Sequence, residues 1–192
     1  MLFIMETVET KYYHSLYKVA AEINSARNSE LVLKSIVENV AKSMRAKACS
    51  LTLLAPDRKL LFHAVAWGLS DWFVKMGPLS AVKSIPGTLE GKAVAILDAT
   101  SDKRIQYPEQ VKKEGIASIL SVPMMLRDEI IGDVRVYTAE QRQFSKDDIY
   151  FVTAAANLGA IALENAKLYE AVHKDYEAVM HEMLEWRSYL EA

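Results

Sequence analysis

Apolar positions in the first part of the chain repeat at helical spacing. Tyr12, Leu16, Val19, Ile23 and Ala26 fall 4-3-4-3 apart, one stripe of a helix predicted from about Glu6 to Ala26. Asn28-Ser29 breaks that helix, and Ser29 is a good N-cap for a second one. Leu31, Val32, Ile36, Val37, Val40 and Met44 carry the second helix to about Arg45. The pattern then becomes strand-like. Lys47 to Ala55 predicts a strand, Pro56-Asp57-Arg58 a turn, and Leu60 to Trp67 the hairpin partner. The middle is irregular. Ser70 is placed to cap a short helix over Asp71 to Met76, stopped by Gly77-Pro78, and Pro86-Gly87 is a further break. The apolar run Ala93 to Leu97 predicts a short buried strand, and Pro108 opens a helix ending near Gly115. Ile116 to Leu126 and Ile130 to Thr138 predict two more strands, joined by a hairpin-length connection at Arg127-Asp128-Glu129. Ser145 then caps a helix with no proline up to Ala192, about 70 Å long at about 1.5 Å per residue. A domain of this size cannot bury such a helix, so part of it must project or pair. The order of elements predicts an α+β fold, an antiparallel sheet with helices gathered on one face.

Composition narrows the function. The chain has 192 residues, 51% apolar and 25% charged, which excludes a disordered protein. Against 25 acidic side chains, 23 Lys and Arg give a net charge of −2, so no nucleic-acid partner is expected. The apolar start Met1 to Met5 lacks a basic lead and is followed at once by Glu6, unlike a signal peptide. No run approaches the roughly 18 apolar residues of a membrane span. A cytoplasmic protein without a membrane partner is expected. The single cysteine, Cys49, excludes a disulfide framework or a Cys-pair redox reaction within one chain.

The strings that carry a family resemblance lie in order along most of the chain. Phe144-Ser145-Lys146-Asp147-Asp148, then Ala154-Ala155-Ala156, then Ala162 to Tyr169, is similar to the last helix of the GAF domain. Gly115-Ile116-Ala117-Ser118 with Val122-Pro123-Met124 and Ile131-Gly132 resembles that family's last two strands. Trp67-Gly68-Leu69-Ser70, and Leu97-Asp98 with Asp102, also fit. The resemblance covers about Leu16 to Glu170. It implies a central antiparallel sheet of five to six strands. Helices of both termini would lie on one face and a loop-rich pocket cover on the other. It also implies a non-catalytic sensory or regulatory role in a signalling protein, with a downstream signalling domain or protein as partner. The expected division is an N-terminal helix at 1–28, the GAF domain at 29–168 and a coiled-coil-like extension at 169–192. The heptad pattern is still running at Ala192, as expected of a helix that continues in a longer protein.

Departures from the family pattern bear on the ligand. The strand from Ile131 to Tyr137 alternates, so Gly132, Val134 and Val136 should face the helices and Asp133, Arg135 and Tyr137 the pocket. The Asp133 carboxylate and Arg135 guanidinium would pair on a partly open sheet face, or one of them would meet a polar ligand. Trp72, Phe73 and Met76 suit the cover of an apolar pocket, or simply fill it. Arg104 and Tyr107 would hang over the same region and, with Arg135, favour an anionic ligand. Tyr137-Thr138 stands where cyclic-nucleotide binders of the family carry Asn-Lys, which speaks against that ligand. Bilin binders need a cysteine in the middle loops, and Cys49 is on the first strand. His63 lies in the otherwise apolar row Leu61, His63, Val65, Trp67 and is expected to be a core or edge histidine. No catalytic triad, phosphate loop, metal constellation or cofactor motif emerges.

The last helix carries a second message. Tyr169, Val172, Tyr176, Val179, Met183, Trp186 and Leu190 are spaced 3-4-3-4-3-4, an a/d seam. Parallel homodimerisation is expected, with the stripe Tyr12, Leu16, Val19 and Ile23 of the first helix either joining the interface or receiving the last helix of its own chain. The competing expectation is a structural dimerisation or protein-interaction module whose pocket is filled and binds nothing.

Overall fold

The computed structural model describes residues 7–25, 29–84 and 86–190; side chains at 24, 25, 29, 86, 178, 182, 184, 185 and 187–190 lie outside the description. In chain order the elements are α1 (Val8–Ser25), α2 (Ser29–Ser43), β1 (Ala48–Leu54), β2 (Leu60–Trp67), α3 (Asp71–Val74), β3 (Leu79–Ser80), a 3-10 turn (Pro86–Glu90), β4 (Val94–Ile96), α4 (Pro108–Glu114), β5 (Ser118–Leu126), β6 (Glu129–Thr138) and α5 (Lys146–Leu190). The strands form one antiparallel sheet in the order β3-β2-β1-β6-β5-β4. The fold is α+β, as expected, and the sheet has six strands.

The three long helices share one face of the sheet. Ile36, Val37, Val40 and Ala41 of α2 meet Val152, Ala155 and Ala156 of α5 over Leu51, Val134 and Val136 of the sheet, all fully or almost fully buried. The α2 stripe is shifted from the expected one: Leu31 is exposed and Leu33 is buried. The stripe of α1 is turned inward on its own chain. Tyr12 and Val19 are buried in the same core, and Leu16 and Ile23 pack against it. The Tyr12 ring stacks on Phe151 with centroids 4.0 Å apart. Within one chain this stripe packs against the last helix and the shared core.

The start of α5 is a reciprocal cap. Ser145 Oγ accepts from the Asp148 amide at 3.1 Å, and Asp148 Oδ2 accepts from the Ser145 amide at 2.9 Å. From Lys167 onward every described side chain of α5 is exposed, so the distal half of this 45-residue helix leaves its own domain.

Two local expectations are corrected. Ser70 does not cap α3 with its side chain; its amide and hydroxyl both donate to the Glu114 carboxylate, tying the cover to the end of α4. The run Ala93–Leu97 is not a buried strand. Its core, β4, is an edge strand in which Ala95 is exposed, and Leu97 just beyond it is exposed too. An edge strand packs on one face only, so its apolar run cannot be buried on both.

Candidate functional site

The second face of the sheet is covered by α3, the 3-10 turn, α4 and the segments that join them, and a polar cluster is buried beneath them. Residues paired across neighbouring strands point to the same face. Thr52 pairs with Asp133, Ser50 and Ser121 both pair with Arg135, and Ile119 pairs with Tyr137. The alternation of β6 therefore puts Val134 and Val136 into the helix core and Asp133, Arg135 and Tyr137 under the cover.

A bulge decides where His63 goes. The β1–β2 ladder pairs Leu51 with Val65 but Thr52 with His63, which leaves Ala64 as the extra residue. The strict alternation expected along β2 is broken there. Leu61 and His63 face the cover, while Val65 and Trp67 face the helices.

Asp133 and Arg135 are a buried pair rather than the surface pair of an open sheet face. Arg135 Nε donates to Asp133 Oδ2 at 2.7 Å, and their side chains are 5% and 1% exposed. The same Oδ2 accepts from Ser121 Oγ at 3.0 Å, and Oδ1 accepts from the Thr52 hydroxyl. Thr88 Oγ1 donates to Ser121 Oγ at 2.9 Å, extending the network into the cover. Arg135 Nη1 donates to Ser84 Oγ at 3.0 Å. Its Nη2 is buried without a hydrogen-bond partner among the described residues, and so are both ring nitrogens of His63.

The Arg135 and His63 side chains line a small cavity of about 30 Å³, room for about one water molecule. Arg135 and His63 meet Phe73, Met76, Tyr107 and Tyr137 there. The Phe73 ring stands edge-on to Tyr137, and its centroid is 6.4 Å from those of both Tyr137 and His63. Burial opposes the charge on Arg135, but Asp133 and Tyr137 outweigh it and hold the guanidinium protonated. Burial, helped by the Arg135 charge and opposed by Asp133, pushes the His63 imidazole down to about 4. The ring is therefore neutral at physiological pH. Burial raises the Tyr137 phenol to about 12.

Of the eight expected pocket residues, the fold brings Phe73, Met76, Tyr107, Arg135 and Tyr137 around the cavity, with Asp133 directly behind Arg135. It does not bring Trp72 or Arg104 there. Trp72 is on the outer side of α3, 38% exposed, with the Lys113 ammonium 4.5 Å over its ring. Arg104 folds back on Asp102, two residues earlier, with Nη2 2.5 Å from Oδ2. Sequence reasoning missed Thr52, Ser84, Thr88 and Ser121. A usable signal existed for Thr52 and Ser121: hydroxyl residues interrupting apolar strand runs suggest a buried polar partner.

Cys49 is buried in the helix-side core, and burial raises its thiol well above the ordinary range, which leaves it unreactive. Asp148 is used structurally: besides capping α5 it accepts from Tyr12 and from Arg142 Nη2 at 2.9 Å. Among the described residues no group of His, Cys, Asp and Glu is placed to hold a metal ion, and no helix is long and apolar enough to cross a membrane.

Comparison with known proteins agrees with this architecture. The chain is 25% identical over 149 residues to the phosphoenolpyruvate-dependent phosphotransferase system protein of Escherichia coli K12, a match covering 76% of this chain but only 20% of that protein. The chain thus spans about a fifth of the length of the curated relatives it matches. The GAF domain of an Acinetobacter phosphoenolpyruvate-protein phosphotransferase superposes with a TM-score of 0.69 at 22% identity, covering 81% of this chain and 94% of the other. The corresponding GAF domain from Coxiella burnetii gives 0.75 at 20% identity, covering 84% and 97%. The GAF domain family profile matches residues 28–163, and the chain belongs to the GAF domain family.

Proposed function

We propose that this chain is a non-catalytic sensory or regulatory domain that binds a small anionic molecule in the cavity at Arg135 and signals as a homodimer through its terminal helices. The observation that carries the ligand reading is Arg135 Nη2, a charged donor buried without a hydrogen-bond partner among the described residues, on a side chain that lines a cavity under a loop-rich cover. Nη1 and Nε are already engaged and Asp133 has both oxygens occupied, so the surplus donor favours an incoming acceptor.

The homodimer reading rests on α5. Tyr169, Val172, Tyr176, Val179, Met183 and Trp186 are each between 54% and 67% exposed along one seam, while the Leu190 side chain lies outside the described residues. A 3-4 repeat of apolar residues favours a parallel copy of the same helix. In this reading 1–28 is a supporting helix, 29–168 the sensing domain and 169–192 the coiled-coil output. A ligand that orders the cover would act on β6, whose Val134 and Val136 sit beneath α5. It would thereby bias α5 between two packings, to the extent that its affinity for them differs. The likeness to phosphotransferase GAF domains supports a cytoplasmic regulatory segment whose downstream partner performs phosphotransfer.

The small cavity supports one competing reading, a dimerisation module with a filled pocket. Thermal-shift measurement with a panel of small organic acids separates the two. A ligand specific for the folded state raises the melting temperature with the logarithm of its concentration. Such a rise, lost in Arg135→Ala, is expected; no rise with any acid supports the filled pocket.

A further inference from the structure

Resting on the reading of this cavity as a ligand site, we infer that its ligand is a small carboxylate held between Arg135 Nη2 and the His63 ring, and that its binding draws a proton onto His63. Three observations on different elements lead there.

The first is the donor inventory. A carboxylate has two oxygens and is best held by two donors. Among the described residues, the side chains around the cavity left with buried polar atoms unsatisfied are Arg135, at Nη2, and His63, at both ring nitrogens. They reach the same space from β6 and β2, and the bulge at Ala64 is what turns His63 to that side. The second is size. About 30 Å³ is too small for a nucleotide or a tetrapyrrole and has room for about one water molecule, so a small acid fits only if the cover yields at Phe73 and Met76. The unbranched Met76 side chain has the freedom to make that room.

The third is charge. Asp133 and Arg135 cancel, so the buried site is neutral. An anion added to it leaves one uncompensated negative charge in a low-dielectric interior, which is costly. The charged groups facing His63 are Arg135, which disfavours imidazolium, and Asp133, which favours it; Tyr107 and Tyr137 line the same cavity. A carboxylate seated between guanidinium and imidazole offsets the Arg135 repulsion and adds its own attraction. Imidazolium then restores neutrality and supplies the second N–H. The proton comes from solvent, and no bond in the ligand changes.

The test uses acetate as the probe and isothermal titration calorimetry on the intact chain. Titrations in two buffers of different ionisation enthalpy, at about pH 5.5 and about pH 6.5, report proton uptake directly. Uptake of roughly half to one proton per acetate is expected, with affinity falling severalfold, at most about tenfold, across that unit of pH. In His63→Gln, which keeps a donor but cannot charge, acetate is expected to bind more weakly, with uptake near zero and no pH dependence. Wild-type binding with no proton uptake, matched by His63→Gln, overturns the inference and leaves the anion reading standing. No acetate heat at either pH, together with no binding of glycolate, overturns both. Circular dichroism of His63→Gln confirms that the variant compared is folded.

Discussion

The Tyr12 phenol donates to Oδ1 of Asp148 at 2.5 Å, joining residues 136 positions apart. The bond ties the second turn of α1 to the first turn of α5. Arg142 completes the junction, with Nη2 on the same Asp148 oxygen and Nη1 on the Met44 carbonyl at 2.5 Å. The N-terminal helix, the end of α2 and the root of the output helix are thus held at one carboxylate. Tyr12→Phe keeps the ring stacked on Phe151 but removes the donor. A loss of about 1–3 kcal/mol in urea unfolding is expected, since a buried acceptor loses a partner. A change under about 0.5 kcal/mol would show the bond to be incidental.

Asp133 and Arg135 make a sharper test of buried charge. Asp133→Asn leaves the guanidinium buried without its counter-ion, and a loss of about 3–5 kcal/mol is expected. The double variant Asp133→Leu, Arg135→Met removes both charges at similar volume. It should recover most of that stability, because a buried pair is often no better than a packed apolar pair. Chemical denaturation of the three proteins checks this. A double variant as unstable as Asp133→Asn would mean that the pair, rather than the unmatched charge, sets stability.

Much of this was legible in the sequence because it rests on period. The alternation of β6 sorted Val134 and Val136 from Asp133 and Arg135, and the 4-3-4-3 stripe identified the buried side of α1. What was illegible depends on pairing between distant segments. The Ala64 bulge leaves no period of its own, so His63 was placed in one row with Val65 and Trp67. Burial of the charged pair depends on Thr52, Ser84 and Ser121, which arrive from three other segments. Gly132 shows the same limit. A Cβ there would lie 2.0 Å from the Thr52 carbonyl oxygen, a close approach of β1 that the sequence records only as a glycine. Arg104 was misplaced because Asp102 claims it locally, and short-range ion pairs in loops compete with any long-range site.

His63 gives the fold a pH dependence. Its folded-state value, about 4, lies below the roughly 6.5 of an unfolded histidine. The unfolded chain therefore binds more protons between those values, and stability rises with pH across that window. The contribution is fully present above about pH 6.5 and is lost as pH falls toward 4, by about 3 kcal/mol at most. Asp148, held low by its Tyr12, Ser145 and Arg142 partners against the effect of burial, adds a loss in the same direction below about pH 4. Urea midpoints at pH 7 and pH 5 should differ more in the wild type than in His63→Phe. Equal differences would assign the acid sensitivity to other groups.

The exposed seam of α5 makes the last prediction. Val179 and Met183 are 54% and 64% exposed and belong to the half of α5 that leaves the domain. Replacing them cannot disturb a core they do not touch. Helices in proteins owe most of their stability to tertiary packing of an apolar face, so the apolar side of this half needs a partner to remain ordered. In a parallel dimer Val179→Asp with Met183→Asp places four carboxylates at adjacent layers of the seam. Each would be desolvated, and each would lie opposite a like charge. Several kcal/mol of lost association is expected, at least about a hundredfold in dissociation constant. Sedimentation velocity should show a dimer for the wild type and a monomer for the double variant at the same concentration, with unchanged unfolding of the domain itself. The same comparison separates the partners of α1 and α5. Because Tyr12 and Val19 are buried in their own protomer, Val19→Asp should unfold the domain rather than merely dissociate it. A double variant that remains dimeric would place the interface elsewhere on the domain and remove α5 as the route of output.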